Sequence, residues 1–147
     1  MILLNKVSEA EAERLAVSLA AHHEAGHAVI ARVVGIKVLK VTARRNYVVP
    51  TGNLADEIRM LFAGPIATER FTKGKSWWSG SNFNGGNRDF AQAAKLAKPI
   101  GGKETEAELH KQTAKLVRKH WRTIERVARA LERGTITGKE LDTLLKG

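Results

Sequence analysis

The sequence contains no cysteine. That excludes a disulfide framework and every thiolate metal site, so a metal held by this chain has to sit on histidine, aspartate or glutamate. No run of about 18 apolar residues is free of charge, and no transmembrane helix is expected. The start, MILLNKVSEAEAERLA, has neither a basic lead nor a small-residue cleavage pattern, and it is not read as a signal peptide. Together these features lead us to expect a cytoplasmic protein. Proline and glycine do not cluster enough for low complexity or disorder, and 147 residues suit one compact domain.

Acidic residues are also in deficit, 15 against 25 lysines and arginines, for a formal charge of +10. A basic face releases counterions on binding phosphates, so nucleic acid is allowed as a partner. The charge is spread out, however. Arg32, Lys37, Lys40, Arg44 and Arg45 fall in one region, and Lys111 to Arg133 in another where glutamates are interleaved, as on a solvated helix face.

Ser8 followed by Glu11 has the form of a capping box, and Gly35 supplies a left-handed stop, so residues 8 to 34 read as one long helix. Leu15, Leu19, His23, His27, Ile30 and Val34 recur on one stripe. A strand is expected over 36 to 44, with NYVVP as a short partner ended by Pro50. Asn53 caps a second helix, in which Gly64 and Pro65 predict a kink or a close backbone approach. A Gly/Ser/Asn loop carrying Trp77 and Trp78 follows. A third helix is expected from Asn87, a fourth from 103 to 133, and a short last one capped by Thr137 or Thr135. The whole is a mainly α (α+β) domain with a small β element.

The chemistry lies in His23-Glu24-Ala25-Gly26-His27, an H-E-x-x-H pattern on a helix. Imidazoles four residues apart project one above the other and can share one metal ion at about 2.0–2.1 Å. Zinc suits imidazole with carboxylate, and its tetrahedral shell leaves a position for water. Glu24, turned about 100° around the helix axis, can take a proton from that water, whose pKa the metal lowers to around 7. This is the reaction core of a metallohydrolase. Gly26 costs about 0.8–1 kcal/mol relative to alanine in mid-helix, which suggests that another segment comes close there. His22 lies off the stripe, facing solvent or standing behind the ligands. For the third ligand, Asp56, Glu57, Glu69, Asp89, His110 and His120 all remain candidates by residue type.

Beyond the motif, HEAGHAVIA resembles the zinc motif of the FtsH-type ATP-dependent metalloproteases. KVTARR resembles that family's K-V-T-I-x-P-R strand, and MLFAGPIATERF its L-x-G-G-R-A-A-E-E-L helix. SGSNFNGGNRDFAQAAKLA is similar to T-G-A-x-N-D-L-x-x-A-T-x-x-A, and ALERGTITGKELDTLL to the family's closing segment. The resemblance implies that Asp89 is the third zinc ligand and that Glu69 orients a ligand imidazole. It implies further that the strand at 36 to 44 is an edge strand where Val38, Val41 and Thr42 meet an extended peptide. Arg88, Phe90 and Pro65 depart from the family pattern. The family's membrane segments and ATPase domain have no counterpart here. The expected substrate is therefore a peptide or unfolded chain, met directly or through a separate ATPase or adaptor. A second reading is a basic binding or regulatory module on the same fold that has lost turnover, against which the intact Glu24 argues.

Overall fold

The computed structural model describes residues 8–73 and 85–147, so Trp77 and Trp78 lie outside the described residues. The order of elements is α1 (Glu9–Val33), β1 (Val38–Val41), β2 (Asn46–Val48), α2 (Leu54–Thr72), α3 (Gly85–Ala97), α4 (Lys103–Lys119), α5 (Trp121–Arg133), β3 (Ile136–Thr137) and α6 (Gly138–Lys146). The fold is mainly helical, with a small three-stranded antiparallel sheet. No helix among the described residues is long and apolar enough to cross a membrane.

α1 begins where Ser8 Oγ accepts the Glu11 N–H at 3.1 Å and ends before Gly35, whose φ of +94° favours glycine. Its first half is largely exposed, but from Ala21 to Ala31 every residue is buried except Glu24. The helix is therefore central, with α2, α5 and the sheet around it. Small side chains make this possible. Ala21, Ala25, Ala28 and Ala31 are fully buried, and a Cβ on Gly26 would stand 2.6 Å from the Ala63 carbonyl oxygen and 2.7 Å from the Ala67 Cβ. The close approach expected at Gly26 is thus made by α2.

α2 runs unbroken through Gly64 and Pro65, and the close approach expected there is made at Gly64. A helix expected over 103 to 133 is instead two, α4 and α5, parted at His120. α4 buries Leu109, Thr113 and Val117 and packs mainly on α2, whereas α5 buries Ile124, Val127 and Leu131 and packs mainly on α1. One straight helix cannot lie along both, and each fully buried aliphatic side chain contributes roughly 1.5–3 kcal/mol, enough to favour the break. The main core joins α1, α2, β1, α5, β3 and α6, with Val117 from α4. A smaller cluster of Ile58, Phe62, Ala93, Ala97 and Leu109 holds α3 between α2 and α4.

The strand order is β2-β1-β3, which overturns the expected edge strand. β1 pairs with β2 through Lys40 and Tyr47 and with β3 through Lys40 and Thr137, so both of its sides are taken. Val38 and Val41 are buried core residues and not a peptide-binding surface. Thr42 is committed to the β1–β2 turn, its Oγ1 accepting the backbone N–H of Arg44 at 3.2 Å and of Arg45 at 3.0 Å. The strand beside the cleft with one unpaired side is β2.

Candidate metal centre

α1 presents His23 and His27 one turn apart, and α3 brings Asp89 against them. The two Nε2 atoms are 3.0 Å apart, and Asp89 Oδ2 lies 2.9 Å from that of His23 and 3.1 Å from that of His27. The outer ring nitrogens settle the tautomers. His27 Nδ1 is 2.7 Å from the Met60 carbonyl oxygen, which only accepts, so Nδ1 carries the proton. Thr68 Oγ1 gives its own proton to the Gly64 carbonyl at 3.1 Å and therefore accepts from His23 Nδ1 at 3.2 Å. In the neutral rings both Nε2 atoms then carry lone pairs.

Three acceptors thus face one another across a triangle with edges near 3 Å. Such an arrangement is repulsive unless a cation sits among them. Tetrahedral bonds of 2.0–2.1 Å give ligand-to-ligand edges of about 3.3 Å, so an opening of a few tenths of an ångström fits the group to a metal ion. His23, His27 and Asp89 together can hold one. Without metal a proton substitutes. Burial pushes His27 down, but the hydrogen bond and charge of Asp89, with the Glu24 charge and the Met60 carbonyl, outweigh it and raise the imidazole above its usual range. Burial pushes Asp89 up, yet the hydrogen bonds and charges of His23 and His27 hold its carboxyl down at about 2.

Gly64 shapes this arrangement from behind. A Cβ there would overlap His27 Nε2 and stand 2.9 Å from His23 Cε1, so α2 approaches the imidazoles as closely as a glycine permits. Glu24 lines the same cleft of about 290 Å³. Asn46 of β2 donates its two amide protons to Glu24, one to Oε1 at 2.9 Å and one to the backbone carbonyl at 3.0 Å. That fixes one carboxylate oxygen, Oε1, and holds the side chain at the cleft.

Glu69 does not take the role expected of it. It is exposed, and its neighbour Thr68 reaches His23 instead. His22 is neither solvent-facing nor behind the ligands. It is buried, its ring stacked on Phe71 at 4.1 Å with Nδ1 donating to the Ser18 carbonyl at 2.7 Å. The other candidate ligands are engaged elsewhere. Asp56 pairs with Arg59 at 2.6 Å, Glu57 accepts the Gly52 N–H at 2.9 Å, His110 packs on Phe62 at 5.0 Å, and His120 stands at the α4–α5 break. Met60, Thr68 and Asn46 were missed by sequence reasoning. Thr68 carried one local signal, its position four residues after Gly64 on the same face of α2.

No protein-family model matches the chain, and no curated protein matches it. The likeness to the FtsH-type proteases therefore stands on the quoted segments alone.

Proposed function

We propose that the chain is a zinc-dependent metalloendopeptidase acting on peptides or unfolded, extended segments. His23, His27 and Asp89 would hold the zinc, which when bound supplies a Lewis acid that polarises a carbonyl and makes water acidic. Glu24 is the general base. Its Oε2 takes a proton from the attacking water as the carbonyl carbon gains oxygen, and returns it to the amine nitrogen as the C–N bond breaks. Asn46 is a positioning residue that keeps the carboxylate turned into the cleft. β2, with Asn46 and Val48 lining that cleft, is the strand beside which an extended backbone would lie.

The observation that carries this reading is the protonation pattern of the triad: both Nδ1 protons are committed to α2, and three lone-pair atoms converge beside an anchored carboxylate. Metal analysis of the purified chain paired with a peptidase assay of Glu24→Gln tests it. We expect about one zinc per chain in both proteins, with turnover reduced on the order of 10²-fold or more in the variant. Equal turnover with zinc retained removes Glu24 as the base, and absence of bound metal removes the proposal.

A further inference from the structure

Arg44 and Arg45, from the β1–β2 turn, and Arg88, from α3, line the same cleft as Glu24 and Asp89. All three are exposed and stand at the open edge of the cleft, whereas the half-buried Arg32 and Arg59 are paired within the fold. Arg32 Nε donates to Asp142 at 2.7 Å, and Arg59 donates to Asp56 at 2.6 Å and to Gln112 at 2.8 Å. Among the described residues no carboxylate lies within ion-pair distance of Arg44, Arg45 or Arg88. Residues 1–7 and 74–84 contain no acidic residue that could supply one. The two carboxylates in the cleft are already engaged, Asp89 by the imidazoles and Glu24 by Asn46.

The turn arginines are also placed. Thr42 Oγ1 holds both their backbone N–H groups, and the Arg45 guanidinium lies 4.9 Å over the Tyr47 ring. Three like charges gathered around one concavity repel one another, and an anion bound among them relieves that repulsion. The cleft also contains hydrolytic groups, which favours an anion that is part of the substrate.

We propose that Arg44, Arg45 and Arg88 form a carboxylate-binding subsite beside the metal centre, so that favoured peptide substrates carry an acidic group close to the bond that is cut. This rests on the metallopeptidase reading. A peptide is preferred over nucleic acid because the arginines share a small cleft with the hydrolytic groups. By contrast, the basic residues of α4 and α5 alternate with glutamates along open helix faces.

The test compares matched fluorescent peptides with Glu, Gln or Lys near the scissile bond, each with a free or an amidated C-terminus. Two readouts are taken: kcat/KM with the zinc-loaded chain, and binding by anisotropy to the Glu24→Gln chain, which needs no turnover. Glu over Gln is expected to be favoured about ten-fold in both readouts, with Lys below Gln. The preference should collapse toward unity in the Arg44→Gln/Arg45→Gln double variant and fall in Arg88→Gln. Arg129→Gln, which removes the same charge from the exposed face of α5, is expected to leave the ratio intact. A ratio that follows the free C-terminus assigns the subsite to a terminal carboxylate, and one that follows the internal Glu assigns it to a side chain. If no peptide is cut but the Arg-dependent binding preference persists, the hydrolytic reading fails and the subsite stands. Equal binding of Glu and Gln peptides overturns the subsite, as does a single-stranded oligonucleotide that binds through the same arginines and displaces the acidic peptide.

Discussion

The two sides of the candidate metal centre are built differently. The histidine side lies on the most deeply enclosed stretch among the described residues, 21 to 31, with only Glu24 partly open, and each imidazole is anchored through its outer nitrogen to α2. The aspartate side arrives on α3, held by Ala93 and Ala97 in the smaller cluster, with Asp89 at 16% side-chain exposure and its neighbour Phe90 at 42%. Two buried alanines remove far less apolar surface from water than the Ile, Val and Leu side chains around α1. Two candidate ligands are thus preorganised by the core, and the third is delivered by a lightly held helix. Metal binding should tighten α3 far more than α1.

The comparison breaks most completely at Gly64. In an ordinary helix interior Gly→Ala stabilises by about 0.8–1 kcal/mol, but here the added methyl overlaps His27 Nε2. Gly64→Ala is expected to abolish stoichiometric zinc, read by elemental analysis, and to lower the melting temperature. Retention of one zinc per chain would show that α2 can retreat from the imidazoles.

Asp89→Ala tests the asymmetry itself. Zinc affinity should fall by about 10²-fold or more, and amide exchange over residues 85–97 should accelerate while residues 19–31 stay protected. Equal loss of protection in both segments would mean that the two sides are one cooperative unit.

Smaller effects separate neighbours on α2. Removing the acceptor of His23 Nδ1 with Thr68→Val should weaken zinc by about 10- to 100-fold. Glu69→Ala, one residue on and exposed, should not change it. The reverse order would restore the role that the resemblance implied for Glu69.

The smallest expected effect is on the pH dependence of the metal-free chain. His27 is raised above 6.5, so its contribution is fully present below 6.5 and is lost as pH climbs through its folded value. Asp89 is lowered from 3.8 to about 2, so its contribution is present above 3.8 and is lost as pH falls toward about 2. The pair therefore supports the fold best between these limits, and the melting temperature should decline slightly from pH 6 toward pH 8. With zinc bound the trend should reverse, because protons then compete with the metal for the same atoms. Parallel melting curves at both pH values would dismiss the proton-for-metal exchange.

What could be read from the sequence was what is decided locally. The bounds of α1 follow from Ser8 and Gly35, and the spacing of His23, Glu24 and His27 depends only on helix pitch. Glycines 26 and 64 announced a close approach, which α2 makes. The rest depended on distant partners. The break at His120 has no glycine or proline to mark it and arises because α4 and α5 serve different neighbours. The edge position that the resemblance implied for β1 fails because a second neighbour, Ile136–Thr137, comes from far away in sequence, where no local pattern announces the pairing. Choosing between Thr68 and Glu69 requires the rotational phase of α2 against α1, which a one-residue step changes by about 100°. Asp89 was not separable from other acidic residues by local chemistry; the resemblance singled it out, and the fold brings its carboxylate to the imidazoles.

The placement of β3 has a consequence for the order of synthesis. Translation releases the ligand-bearing helix early and the strand that flanks β1 late, so the hairpin carrying Asn46 gains its second support only when the tail of the chain has emerged. Until residues 136–137 have emerged, the polypeptide holds both imidazoles while the Asn46 contact to Glu24 rests on a hairpin with one open flank.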